Sequence, residues 1–156
     1  MNKNYQIIWA AGPKQYETIQ KSLSEANINI NEILRVKILP YIYNMEEVMS
    51  ACDLVVCRSG ALTITEISII GKPAIFVPLP FAAENHQEYN AKVLVNQGAA
   101  RIILDKDLNQ ISLNEMIDNM IKDRTKLKQM GENAKRIAVE NVEDKIYKEI
   151  KMLIKD

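Results

Sequence analysis

Apolar residues recur along this chain in short unbroken runs, separated by amphipathic stretches. Five runs read as strands: Gln6 to Ala10, Leu34 to Leu39, Leu54 to Cys57, Ala74 to Val77, and Ala100 to Leu104. Most are continuous rather than alternating, which favours strands covered on both faces of a parallel sheet. Helical patterns lie between them. Tyr16, Ile19, Leu23 and Ala26 fall three or four apart on one stripe. Asn44 to Glu47 has capping-box form and opens a short helix toward Ala51. Gly60 to Ile70 reads as a helix stopped by Gly71 and Pro73, and Asn85 starts another that runs to Gly98. Beyond Leu104 the chain is helical throughout. Ser112 to Glu115 is a further capping box, and Lys122 to Glu140 follows with Gly131 as a break. Ile146, Ile150, Leu153 and Ile154 form the apolar stripe of the last helix.

Alternation of strand and helix predicts an α/β fold, a doubly wound Rossmann-like parallel sheet with flanking helices. The 156 residues, 47% of them hydrophobic, suit a single domain spanning 1–156. One feature departs from the pattern. The first strand runs through Ala11-Gly12-Pro13 into a helix with no Gly-x-Gly-x-x-Gly phosphate loop, so a first βα unit is expected to be missing.

Charge and composition narrow the function. Twenty basic residues balance twenty acidic ones, so nucleic acid is not an expected partner. No apolar run reaches the roughly 18 residues of a membrane span, and the polar start Met1 to Gln6 does not read as a secretory signal. Cys52 and Cys57 lie in or beside an apolar run and read as reduced thiols of a cytoplasmic protein. With one histidine, His86, no metal site is expected, and no cofactor.

The segment Cys57 to Glu66 carries the most chemistry. A strand ends at Cys57, and a turn with Gly60 opens a helix whose first N–H groups lack internal partners. With the helix dipole they favour an anion or a polar ligand oxygen, and Gly60 permits close approach. Ser59, Thr63 and Glu66 share one sector of the helix. Glu66 can accept two hydrogen bonds from a ribose diol there. Plainer readings stand beside this one. Ser59 suits a helix cap, Thr63 to Glu66 matches a capping box that would use Glu66 locally, and Arg58 suits a structural ion pair.

A second segment, Val77 to Ala91, also follows a strand. His86, Gln87 and Asn90 stand on the first turns of its helix, with His86 and Asn90 on one face, and suit sugar hydroxyls. Asn85 reads equally as a cap, and His86 as an exposed residue without a role. A third segment, Pro40 to Asn44, offers open backbone and an aromatic for a flat base, or simple rim packing.

In this order the three segments resemble the MurG family, the N-acetylglucosaminyltransferases of bacterial peptidoglycan synthesis. The resemblance rests on Cys57 to Glu66, Gly71-Lys72-Pro73-Ala74, Val77-Pro78, and His86-Gln87 to Asn90-Ala91, and covers essentially the whole chain. It implies the C-terminal, UDP-N-acetylglucosamine-binding half of a two-domain GT-B glycosyltransferase. By resemblance, the Ile42 backbone would bind uracil and Glu66 the ribose. Ala61, Leu62 and Thr63 would meet the donor from the helix start, with Arg58, Ser59 and Gly60 beside them. His86, Gln87 and Asn90 would face the N-acetylglucosamine hydroxyls. By the same resemblance, the family's N-terminal domain, which takes the lipid-linked acceptor at the cytoplasmic face of the membrane, is expected to be missing from this chain, as is the Gly-Gly-Ser loop. No catalytic residue is expected in this chain, and negligible transferase activity from it alone. Self-association is expected through strand edges left open by the missing unit. The alternatives are a small soluble subunit of a two-chain transferase, an epimerase-like fragment of the same fold, or a sugar-nucleotide sensor without catalysis.

Overall fold

The structure is a computed structural model, and it describes residues 4–29, 33, 35–81, 83–139 and 141–154. Leu34, Ala82 and Glu140, within a strand, loop and helix expected from the sequence, and Met1 to Lys3 of the polar start lie outside the described residues. The described chain alternates β1 (Ile7–Ala10), α1 (Pro13–Glu25), β2 (Val36–Leu39), α2 (Met45–Ala51), β3 (Val55–Cys57), α3 (Ala61–Ile70), β4 (Ala74–Phe76), α4 (His86–Asn96) and β5 (Ala100–Ile102). Three helices follow: α5 (Gln110–Lys122), α6 (Arg124–Ile137) and α7 (Val142–Ile154). Every expected strand is present, shorter than expected by one or two residues. All strand pairs are parallel.

The strands form two sheets where a single one is expected: β1 with β2, and β3-β4-β5. The chain divides correspondingly into two compact units, 1–45 and 46–156. In the first, Ile7 pairs with Val36 and Ala10 with Leu39, and all four residues of β1 are exposed. Pro13 opens α1 from Gly12, whose φ of 82° suits a residue without Cβ.

In the second unit β4 is central, and Ala74, Ile75 and Phe76 are all fully buried. Successive strand residues point to opposite faces, which splits the core in two. Ala74 and Phe76 pack with Met49, Ile67, Ala91, Leu94 and Ala134. Ile75 packs with Ile103, Met120, Leu127 and Met130. Helices α2, α3 and α4 thus cover one face and α5 covers the other, while α6 contributes to both clusters. This explains the unbroken apolar run of β4.

Two helix boundaries differ from expectation. The box at α5 is formed by Asn109 and Ser112, not Ser112 and Glu115. Asn109 Oδ1 accepts from Ile111 N–H and Ser112 N–H at 2.9 Å, and Ser112 Oγ accepts from Asn109 N–H at 3.0 Å. Asparagine caps as well as serine does, so the earlier start wins. Helix α6 runs unbroken through Gly131. A Cβ there would lie 2.5 Å from the Gly71 carbonyl oxygen, so this glycine admits close packing of α6 on the end of α3 rather than breaking a helix.

Candidate functional site

Helix α3 starts shortly after β3, with Gly60 as its cap residue, which makes no side-chain cap bond. The first intrahelical bond runs from Ile64 N–H to Gly60 O at 3.0 Å. The N–H groups of Ala61, Leu62 and Thr63 therefore lie at the unpaired end of the helix, where its dipole favours an anion. Leu62 is 81% exposed and Ala61 is exposed, so this end is open. Thr63 Oγ1 lies 3.9 Å from the position a Cβ on Gly60 would take, bringing the hydroxyl to the same end.

Glu66 stands one turn beyond Thr63 and is exposed. The helix begins at Ala61, so the later start that would consume Glu66 in a capping box does not form. Thr65 instead donates to the Ala61 carbonyl at 3.0 Å. The Glu66 charge also acts on Cys57 at the end of β3. Burial first, and the Glu66 charge second, push the Cys57 thiol from its ordinary 9.0 to about 12. The sign follows directly. Below pH 9 the thiol is neutral in both folded and unfolded chains. Between pH 9 and about 12 only the unfolded chain ionises, so this part of the stability is lost as pH rises through that window. Alkylation of Cys57 should be negligible at pH 8 in the native protein and rapid after unfolding. Glu66→Gln should bring the onset of native alkylation to lower pH, and an unchanged onset would separate the two groups.

Ser59 is fully buried, contrary to its reading as an open ligand or a helix cap. Its hydroxyl donates to the Gln87 carbonyl at 2.7 Å, and Asn90 Nδ2 donates to the Ser59 carbonyl at 3.1 Å. Leu79 N–H donates to Gln87 Oε1 at 3.0 Å. These bonds tie the β3–α3 turn, the loop after β4 and the start of α4 together. Gln87 and Asn90, expected to face a sugar, thus spend one side-chain atom each on this bracing. Gln87 Nε2 and Asn90 Oδ1 are the atoms these bonds do not use.

Arg58 takes the ion-pair reading. One terminal nitrogen, Nη1, contacts the carbonyls of Val77 and Pro78 at 3.1 and 3.0 Å and Asp105 Oδ1 at 2.7 Å. It clamps the segments leaving β4 and β5. Asp105 and Leu79 were missed as parts of this frame, because their role depends on contacts made across many residues. His86 opens α4 and is exposed. The turn before it holds Phe81, Glu84 and Asn85 at positive φ, with Phe81 almost wholly exposed.

Ile42 belongs to the first unit, is 6% exposed, and follows β2. Its neighbours Tyr41 and Tyr43 pack edge to face with ring centres 4.9 Å apart. A concavity along α1, lined by Gln20, Leu23, Ser24, Asn27, Ile28 and Asn29, contains none of the expected ligand residues. Among the described residues no group of three His, Cys, Asp or Glu side chains converges on a metal position. No helix among them is long and apolar enough to cross a membrane.

The family model for the glycosyltransferase family 28 C-terminal domain matches residues 1–146. The chain belongs to this family. It is 44% identical over 153 residues to a protein of Acetivibrio thermocellus named UDP-N-acetylglucosamine--N-acetylmuramyl-(pentapeptide) pyrophosphoryl-undecaprenol N-acetylglucosamine transferase, covering 97% of this chain and 40% of that protein. It is 40% identical to a protein of the same name from a Thermoanaerobacter species, covering 97% and 41% of the two chains. It is also similar to the crystal structure of Acinetobacter baumannii MurG, with a TM-score of 0.80 and 33% identity over 94% of this chain and 41% of that one. The glycosyltransferase VinC shares the fold at 16% identity and a TM-score of 0.58. The resemblance drawn from the sequence motifs therefore holds, and the architecture is that of a family 28 C-terminal domain with parallel strands flanked by helices. The chain spans about two fifths of the length of these curated relatives.

Proposed function

We propose that this chain is the donor-binding part of an inverting N-acetylglucosaminyltransferase of peptidoglycan synthesis, and that it holds UDP-N-acetylglucosamine. The observation that carries this reading is the joint placement, beyond the end of β3, of the open start of α3 and the exposed Glu66. In an open α/β sheet this end of the strands is where ligands sit. The N–H groups of Ala61, Leu62 and Thr63 meet the diphosphate, and Gly60 leaves room for it. Glu66 accepts from the ribose hydroxyls. His86, Gln87 Nε2 and Asn90 Oδ1 serve the sugar, on a frame fixed by Ser59 and Arg58.

The reaction joins this donor to lipid I and forms lipid II. The 4-hydroxyl of the acceptor sugar attacks the anomeric carbon, the bond to UDP breaks with inversion, and the hydroxyl proton passes to a base. Base and acceptor site belong to the part of the family's length outside this chain, and that part works at the cytoplasmic face of the membrane. The activity serves cell-wall growth, and with it cell shape and division. No observation favours a two-chain subunit or an epimerase.

Titration of the chain with UDP-N-acetylglucosamine, UDP and ADP tests the reading. Both uridine ligands should bind, and ADP should bind at least tenfold more weakly, since adenine and uracil present different donors and acceptors. Equal binding of UDP and ADP would defeat the assignment.

A further inference from the structure

Helix α4 begins without a side-chain cap of its own. Asn85 stands at its start with φ 55° and makes no side-chain cap bond. Deeper in the helix, Ala91 and Leu94 are fully buried in one cluster with Ile67 of α3 and Phe76 of β4. Apolar packing therefore fixes the body of α4, while polar bonds place its first turn. Ser59 makes two of them from the β3–α3 turn. It is fully buried, so water cannot stand in for its hydroxyl. The hydroxyl donates to the Gln87 carbonyl at 2.7 Å, and the Ser59 carbonyl accepts from Asn90 Nδ2 at 3.1 Å. A third bond, from Leu79 N–H to Gln87 Oε1 at 3.0 Å, holds the Gln87 amide itself.

We propose that Ser59 is a positioning residue for the sugar of the donor, acting through Gln87. The inference rests on the donor reading above. Gln87 is fixed at two points, its carbonyl by the Ser59 hydroxyl and its Oε1 by Leu79. With that oxygen engaged, the amide presents Nε2, a donor only, in one direction. Removing either point of attachment costs Nε2 its aim. Asn90 is held differently. Its partner is the Ser59 backbone carbonyl, which stays when the side chain is cut back. The start of α3 does not depend on the hydroxyl either, since Gly60 is its cap residue and Ile64 N–H to Gly60 O closes its first turn. Loss of the hydroxyl should therefore be felt at the sugar end of the donor and not at the diphosphate. A serine that served only the core would affect both ends alike.

Ser59→Ala should weaken binding of UDP-N-acetylglucosamine about tenfold and of UDP less than about twofold, with circular dichroism unchanged. Calorimetric titration reads the ratio of the two dissociation constants. In a Gln87→Ala background the same substitution should leave that ratio where Gln87→Ala alone puts it, because groups that act as one unit do not add. Ser59→Cys keeps a weak donor of similar size and should recover part of the ratio. Without ligand, the Leu79 amide should exchange its hydrogen faster in Ser59→Ala, while the amides of Ile75 and Phe76 hold. Equal weakening of both ligands, an unchanged ratio, an additive effect on Gln87→Ala, or an unchanged Leu79 exchange would each overturn the proposal. A parent chain that binds neither uridine ligand would instead sink the donor reading beneath it, and the Leu79 exchange tests the Ser59–Gln87 link independently of that reading.

Discussion

Glu66→Ala should weaken binding of UDP and UDP-N-acetylglucosamine by about 1–3 kcal/mol, the cost of losing hydrogen bonds to a charged group. That is roughly tenfold or more in the dissociation constant, and calorimetric titration would resolve it. The thermal midpoint should hardly move, because the side chain is exposed and caps nothing. Glu66→Gln should fall between the two, since an amide keeps one acceptor but loses the charge. A ribose contact also predicts discrimination. The loss should be much smaller for 2′,3′-dideoxy-UDP, which has no diol to donate. Unchanged affinity for UDP would remove Glu66 from the ribose role and leave the helix start as the only anchor.

Gly131→Ala is expected to destabilise the chain by about 1–3 kcal/mol, the range for forcing extra volume into a packed contact. Two effects oppose each other here. Alanine in a helix interior is worth about 1 kcal/mol over glycine. Against that, the new Cβ would stand 2.5 Å from the Gly71 carbonyl oxygen, which is backbone and cannot swing aside. Gly71 is itself held at φ 72°, and its N–H and that of Lys72 both close on the Ile67 carbonyl. The contact therefore has little slack, and the clash should win. Urea unfolding of the variant should show a lower midpoint with an unchanged slope. Donor affinity should fall less than stability, because the strain enters at the end of α3 opposite to its open start, where the donor is proposed to bind. A variant as stable as the parent would mean that α6 moves away at little cost.

The candidate site was legible in proportion to how local its chemistry is. The open start of α3 and the stop at Gly71 follow from the order of residue types over a dozen positions. Glu66 on the same face as Thr63 follows from helical periodicity alone. The resemblance to MurG then attached a ligand to that pattern. Other readings failed where a residue's partner is distant in sequence. Ser59 reads as a cap, yet its hydroxyl bonds the Gln87 carbonyl, 28 residues away. The ion-pair reading of Arg58 holds, but its partner Asp105, 47 residues on, could not be named from the sequence. Gly131 reads as a break, because nothing local reveals that the Gly71 backbone passes beside it.

By itself, the amino-acid order determined the kinds of elements, their succession and the parallel character of the strands. Hydrophobic period and capping chemistry act within one or two turns, so they can be read along the chain. The tertiary structure alone decided which strands share a sheet, which polar atoms brace the site and which remain for a ligand. A buried hydroxyl or amide must find a partner wherever packing brings one, and that partner is chosen in space rather than along the chain.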